Sequence, residues 1–158
     1  MANLFSTLAT AQLAGTTNGA DRPSLPSYGG KVTHLDVAIT ATAATADPIY
    51  LVRLPKGARL LPNLCSVDYE DPGTSVVCHI GDFTTAATPV VIDVDRYATS
   101  LDLGSAAGRK QFSEAGTKGV AFLTPYTATA DIWIVVTFSS VGAGVSAAYD
   151  FHLAYTLG

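Results

Sequence analysis

The chain has 158 residues, a length that suits one domain with its own hydrophobic core. It is 48% hydrophobic and only 14% charged, well below the roughly 25% of an ordinary soluble domain, and its net charge is −4. Because the largest basic cluster is the pair Arg109-Lys110 and the longest aliphatic or aromatic run has five residues, we predict neither nucleic-acid binding nor a membrane span.

Residues 1–30 differ in composition from the rest of the chain. They are rich in Ala, Thr, Ser and Gly, and they lack the basic and compact apolar regions of a secretory signal. Their large apolar residues have the spacing of a short amphipathic helix that would be marginal alone, and these are Leu4, Phe5, Leu8 and Leu13. We predict an extended N-terminal arm whose four apolar side chains bind a neighbouring subunit; the alternative is a disordered tail.

From residue 31 onward the hydrophobic period is two, which is typical of half-buried strands. Gly and Pro residues separate the strands. The predicted strands cover residues 34–40, 49–54, 65–69, 76–80, 120–126, 131–138 and 145–157. Residues 86–118 look like a long insertion with one helical turn over 93–100. Seven or eight short strands predict a single all-β domain over residues 31–158, an antiparallel β-sandwich of the jelly-roll-like kind.

The phase of the alternation predicts which side chains fill the space between the two sheets, because successive strand residues point to opposite faces. The predicted core consists of Leu35, Val37, Val67, Val76, Ile80, Ile132, Ile134, Val136, Phe151 and Leu153.

The two cysteines flank a turn in the stretch CSVDYEDPGTSVVC, residues 65–78. The segment EDPG favours a turn, so the simplest register is a hairpin in which Cys65 faces Cys78 on an apolar face. Such a pair either packs as two buried thiols or forms a strained cross-strand disulfide. Since the chain has no secretory signal, we expect cytoplasmic folding and reduced thiols.

The histidines do not have the spacing of a metal site. His34, His79 and His152 are dispersed, without an HxH or HExxH pattern, so we interpret them as surface or interface residues. His152 occupies the polar phase of its strand.

The acidic residues of DVDRY, residues 93–97, leave two interpretations open. Asp93 and Asp95 are two of the oxygen ligands that a hard cation needs, but the dense pattern of a Ca²⁺ loop is missing. Alternatively, one of them caps a short helix or pairs with Arg96. No GxSxG, GxxxxGKS, CxxC or GxGxxG motif occurs, so we predict no enzyme, no metal and no cofactor.

The stretch IYLVRLPKGARLLPNLCSVDYEDPGTSVVCHIGD followed by VIDVDRYATSLDL resembles small structural proteins of tailed-bacteriophage virions, the head decoration or cement proteins. The features that carry the resemblance are the RLPKGAR turn, the HIGD segment and DVDRY, within residues 49–103. The resemblance implies a β-sandwich or jelly-roll core that is often trimeric, with extended termini, over the junctions between capsid subunits.

The function that this resemblance implies is structural. The chain is expected to bind the major capsid protein on the exterior of the virion, as a homotrimer assembled in the host cytoplasm. The alternative is a phage tail, neck or fibre β-domain with a structural or receptor- or glycan-binding role. The family has no contact motif that matches this chain, so the resemblance assigns no functional residue.

Overall fold

The computed structural model describes residues 4–5, 32–42, 47–116, 126–140 and 144–157. Within these ranges the chain forms ten strands, two short 3-10 helices (Pro62–Leu64 and Phe112–Glu114) and no α-helix. The strands are β1 (Leu4–Phe5), β2 (Thr33–Thr42), β3 (Ile49–Leu54), β4 (Ala58–Leu60), β5 (Ser66–Tyr69), β6 (Val76–Thr84), β7 (Val91–Gly104), β8 (Gly108–Gln111), β9 (Ile132–Ser140) and β10 (Ser146–Leu157).

The strands form two sheets that pack against each other. Sheet 1 has the order β1-β3-β9-β6-β7, and sheet 2 has the order β2-β10-β5-β8, with β4 also paired to β10. Apart from the parallel pair β1 and β3, the neighbouring strands are antiparallel. Without β1 and β4, eight strands divide into two four-stranded sheets, β3-β9-β6-β7 and β2-β10-β5-β8, which is the jelly-roll arrangement. The predicted all-β sandwich is confirmed.

Alternate residues of each strand fill the space between the sheets, as the period of two requires. In β10, for example, Ala147, Tyr149, Phe151 and Leu153 are buried while the residues between them are less buried. Nine of the ten predicted core side chains are buried. The tenth, Leu35, is half-buried and packs against the same core.

The predicted hairpin between the two cysteines is wrong. Cys65 comes directly before β5 in sheet 2, whereas Cys78 lies in β6 in sheet 1. Val67 pairs with Phe151 and Lys110 instead of Val76. Both thiols are free and buried, so the expectation of buried, reduced cysteines is confirmed although their register is not.

The loop after β5 explains the error. It contains the expected turn, because Asp71 Oδ1 accepts a 2.7 Å hydrogen bond from the Gly73 amide, and Gly73 has φ +70°. The loop is held, however, by hydrogen bonds that join it to β10 and to the residue before β10: the Glu70 amide donates to the Ala148 carbonyl, and the Val145 amide donates to the Pro72 carbonyl. The turn therefore moves the chain from one sheet to the other.

The predicted insertion over residues 86–118 is also wrong, and so is its helical turn. Most of this segment forms the 14-residue strand β7 and the short strand β8. The pairing of β7 with β6 shifts register four times, and Ser100 has a positive φ of 54°. Each shift interrupts the alternation of the side chains, so the sequence shows no period of two there.

The structure also bears on the predicted strand at 120–126 and on the predicted absence of a membrane span. Residues 120–125 lie outside the described residues, and Tyr126, the last residue of that predicted strand, is not in a strand. Among the described residues, no helix has the length and apolar character to cross a membrane.

Candidate interaction surfaces

The beginning of the N-terminal segment is a short edge strand. Leu4 and Phe5 pair in parallel with Ile49 and Tyr50, at the edge of sheet 1. The helix predicted for this segment is therefore wrong at these two residues, which are extended. Leu8 and Leu13 lie outside the described residues, and the binding of the four apolar residues to a neighbour stays a prediction.

A second apolar cluster lies on the face of sheet 1 that points away from sheet 2. It consists of Tyr50, Phe83, Trp133 and Val135, all buried. The Tyr50 ring meets Phe83 and Trp133 edge to face, with ring centroids 5.7 and 5.9 Å apart. Such T-shaped contacts contribute beyond the buried area alone. Because Tyr50 also pairs with Phe5, this outer face and the β1 edge adjoin each other.

A buried ion pair lies between the sheets beside β6 and β7. Asp82 is fully buried, and both of its carboxylate oxygens accept hydrogen bonds from Arg96 Nε, at 3.1 and 2.9 Å. The Tyr97 hydroxyl donates a third bond of 3.2 Å to the same carboxylate. The Arg96 guanidinium also stacks 3.9 Å from the centre of the Tyr126 ring. Asp93 lies 3.7 Å from Arg96, as one of the two predicted interpretations of DVDRY requires.

Burial dominates the electrostatics of this pair. It raises the pKa of Asp82, although Arg96 and the Tyr97 hydroxyl act in the opposite direction. Burial also raises the pKa of Tyr97 far above its ordinary value, so this phenol stays protonated and remains a donor. Arg96 and the Tyr97 hydroxyl, both in β7, donate hydrogen bonds to the Asp82 carboxylate in β6. The ion pair is therefore suited to holding β7 in place against β6.

A second charged network lies on the outer face of sheet 2. His152 Nδ1 lies 2.7 Å from Asp36 Oδ1, and its Nε2 lies 3.0 Å from Asp68 Oδ2. The register places Asp36 directly opposite His152 on β2. Arg109 extends the network, with Nε 3.4 Å from Asp68 and a hydrogen bond to the Ser66 hydroxyl.

Both imidazole nitrogens of His152 can donate only when the ring is protonated. Accordingly, the hydrogen bond to Asp36 raises the pKa of His152, the bond to Asp68 adds to this effect, and partial burial opposes it. The network joins three neighbouring strands, β2, β10 and β5, by charge. His152 is thus a half-buried surface residue, in agreement with its predicted polar phase.

The remaining predicted chemical residues have ordinary structural roles. His34 is exposed, and His79 accepts a hydrogen bond from the Ser100 amide at 3.3 Å. Burial raises the pKa of both cysteines to about 12, so their nucleophilic thiolate forms are suppressed.

A shallow depression on sheet 2 includes Asp68 of the His152 network in its lining. Its lining combines small residues with carboxylates, and it consists of Ala38, Asp68, Tyr69, Glu70, Gly108, Ala148, Tyr149 and Asp150. Across the described part of the chain, no three His, Cys, Asp or Glu side chains converge as metal ligands would. The lining of the depression supplies the carboxylates of Asp68, Glu70 and Asp150.

The exposed apolar side chains are concentrated in one place that the sequence-based prediction missed. Seven large hydrophobic residues are exposed in the described chain, and four of them are Val90, Val91, Ile92 and Val94. The signal is the run of β-branched residues after Ala-Ala-Thr-Pro, within the segment predicted as an insertion.

Comparison with known proteins identifies the fold. No protein-family model and no curated protein matches the chain by sequence. In structure it is similar to a chain from the capsid of Ralstonia phage GP4, with a TM-score of 0.71, 20% identity and 99% of each chain covered. A chain from the cyanophage Pam1 capsid aligns with a TM-score of 0.49 and 23% identity over 90% of this chain and 98% of that chain. The first similarity establishes a shared fold over nearly the whole length of both chains.

Proposed function

We propose that this chain is a non-enzymatic structural protein of a bacteriophage virion, a decoration or cement protein that binds the outside of the capsid and reinforces contacts between major capsid subunits. The observation that carries the proposal is the near-complete overlap, in both directions, with a chain from the capsid of a Ralstonia phage. Two chains that match from end to end share one architecture without large additions in either.

The physical character of the domain supports this role. Only 14% of its residues are charged, so much of its surface can be covered by a partner without the large cost of removing charges from water. Its buried polar network is closed on itself, and its cysteine thiols are buried. A rigid β-domain with a weakly charged surface suits a protein that stays bound.

We further propose that the protein is a homotrimer and that residues 1–30 act as its arm, with Leu4, Phe5, Leu8 and Leu13 binding a neighbouring subunit or the major capsid protein. The pairing of Leu4–Phe5 with the edge of β3 supports this, because it demonstrates that the segment can add to a sheet edge as a strand. Burying a large apolar side chain contributes about 1.5–3 kcal/mol, and a trimer presents three arms.

The test is co-sedimentation of the protein with undecorated capsids, combined with cryo-electron microscopy of the decorated particle. We expect saturable binding and density on the outer surface. Binding to tails, necks or fibres instead of heads would replace the decoration role with the alternative structural one. Binding to neither would refute the virion role.

The arm is tested by deleting residues 1–28. We expect a melting temperature within about 4 °C of the full chain, since a two-residue strand is lost and 1 kcal/mol corresponds to about 2–4 °C at this size. Capsid binding should be lost. Replacing Leu4, Phe5, Leu8 and Leu13 by Ser should have the same effect, while the matched variant Ser6→Ala, Thr7→Ala, Thr10→Ala should bind normally. Unchanged binding after the deletion would contradict the arm's role.

A further inference from the structure

The hairpin between β6 and β7 presents an apolar surface at the open edge of sheet 1. Val90, Val91, Ile92 and Val94 are 60%, 50%, 41% and 43% exposed. Val91 and Ile92 are successive strand residues and point to opposite faces, so the first residues of β7 are exposed on both faces, although Phe83 on the β6 side is buried. We call these four residues the β7 patch.

The backbone of this hairpin is ordered. The Thr84 amide donates to the Val90 carbonyl at 2.8 Å, and the Val90 amide donates to the Thr84 hydroxyl at 3.0 Å. The next pair in register is Phe83 with Val91. Among the described strands β7 is the last of sheet 1, so no described strand pairs with its outer edge and this edge can meet another chain.

The charge of the hairpin differs from that of the whole molecule. The chain has a net charge of −4, but the ten residues 83–92 include no charged side chain. The first acidic residue after them, Asp93, is engaged by Arg96 at 3.7 Å and by the Asp95 amide at 3.2 Å. Three residues of the β7 patch, Val90, Val91 and Ile92, therefore form an uncharged surface on an acidic protein, and Val94 at its border lies between Asp93 and Asp95.

The symmetry of homo-oligomers indicates that the β7 patch suits a second copy of this chain. Near the rotation axis of a homo-oligomer, each residue meets its own copies, so any charge there faces an identical charge. A chain of net charge −4 can approach itself most easily where it has no charge. Exposed aliphatic side chains can meet their own copies at the axis without bringing like charges together. Large exposed apolar patches also mark interaction sites in general.

We propose that the β7 patch is the contact between copies of this chain, with the β6–β7 hairpins of neighbouring subunits meeting near the symmetry axis. The inference rests on the homo-oligomer of the proposed function and specifies its surface. It assigns the patch to a second copy, and the N-terminal arm to contacts away from the axis.

The test uses charges of both signs at one position. Val91→Asp and Val91→Lys should each raise the concentration at which the full-length protein self-associates by about 100-fold, measured by sedimentation velocity and light scattering, because like charges would meet at the axis. Mixing the two variants in equal amounts should restore association in part, since a mixed trimer has two contacts between opposite charges and one between like charges, whereas each variant alone has three like-charge contacts. Ile92→Asp should act as Val91→Asp does.

The controls separate this effect from unfolding. Leu64 is 54% exposed in the 3-10 helix Pro62–Leu64, so Leu64→Asp changes the net charge equally at a distant apolar site and should leave association unchanged. At a dilution where the wild type is monomeric, every variant should keep the wild-type melting temperature and Trp133 emission, because association no longer contributes to stability there. If Val91 were buried against some other protein, neither variant would change self-association, and the mixture would behave as its components do; that result overturns the inference.

The outcome also separates the two proposals. A wild-type chain that remains monomeric at tens of micromolar refutes the β7 contact and leaves capsid binding intact. A wild-type chain that self-associates through Val91 but does not sediment with capsids supports the β7 contact and refutes the decoration role.

Discussion

Two arginine–aspartate pairs in this protein have similar distances and opposite environments. Arg96 and Asp82 lie 2.9 Å apart, with side chains 14% and 0% exposed. Arg53 and Asp131 lie 2.6 Å apart, with side chains 44% and 39% exposed.

The pKa values of the two aspartates move in opposite directions. Burial raises the pKa of Asp82 despite its arginine, whereas a hydrogen bond from the Lys56 amide lowers the pKa of Asp131, with further help from Arg53. The Arg53–Asp131 pair has the shorter distance, but we expect it to contribute less to stability than the Arg96–Asp82 pair. Burial, rather than distance, decides what a charged pair does for stability, because a buried charge has no water to replace a lost partner.

Removing each arginine gives the largest expected contrast. Arg96→Met leaves the buried Asp82 carboxylate with only the Tyr97 hydroxyl, so the free energy of unfolding should fall by about 3–5 kcal/mol. Arg53→Met leaves an exposed aspartate that keeps the Lys56 amide, so the fall should be below about 1 kcal/mol. Urea denaturation at pH 7 measures both values. Equal losses would contradict the argument from burial.

The strand that supplies Arg96 also passes very close to β6. A Cβ atom at Gly81 would overlap with the Asp93 carbonyl oxygen and the Val94 carbonyl carbon. Since both obstacles are backbone, Gly81→Ala must displace β7, and we expect it to reduce the free energy of unfolding by about 2–3 kcal/mol.

The matched control is Gly116→Ala, where the nearest atom to a new Cβ is at 3.5 Å, an ordinary contact. Its effect on the urea midpoint should be small. A tolerated alanine at Gly81 would indicate that the close approach of β7 does not constrain the buried ion pair.

The two buried cysteines, which are uncharged, differ in whether their thiols have hydrogen-bond partners. Cys65 Sγ has partners, since it lies 3.2 Å from the Leu61 carbonyl and accepts from the Ala154 amide at 3.3 Å. Within the described part of the chain, Cys78 has no such partner. A serine hydroxyl at position 78 would be buried without a hydrogen bond, so Cys78→Ser should cost about 1–2 kcal/mol and Cys65→Ser clearly less. Thermal melts of the two variants compare the costs; the reverse order would contradict this account.

The half-buried His152 network on the outer face of sheet 2 should have the smallest effect on stability, and this effect should depend on pH. Because the folded pKa of His152 is raised, its contribution to stability is full below the unfolded pKa of about 6.5 and is lost as the pH rises through the folded pKa. His152→Gln should remove this slope and cost below about 1 kcal/mol at acid pH.

Urea midpoints across this pH range test the histidine prediction. His34→Gln is the control, because it changes an exposed histidine of β2 and leaves His152 and its two aspartates in place. A wild-type slope that persists in His152→Gln would assign the pH dependence to other groups.

The amino-acid sequence determined the strands whose side chains alternate without interruption. The predicted strand at 49–54 coincides with β3, and the predicted strand at 145–157 differs from β10 by one residue. The inward residues Phe151 and Leu153 of β10 could be predicted because a regular strand allows only two faces, and the apolar one must leave water. No inward residue was predicted for β3, which is buried almost throughout and shifts register between Tyr50 and Val52. The low overall charge likewise follows from the amino-acid composition alone.

Only the tertiary structure decided which strands pair and which surfaces stay open. The Asp-Pro-Gly turn reverses the chain in either arrangement. Two backbone hydrogen bonds, from the Glu70 amide to the Ala148 carbonyl and from the Val145 amide to the Pro72 carbonyl, select the crossing between sheets. The bulges of β7 hide its period, and they place Arg96 beside Asp82, fourteen residues away. Pairing and exposure depend on contacts between distant segments, and the local preferences of one segment do not specify them.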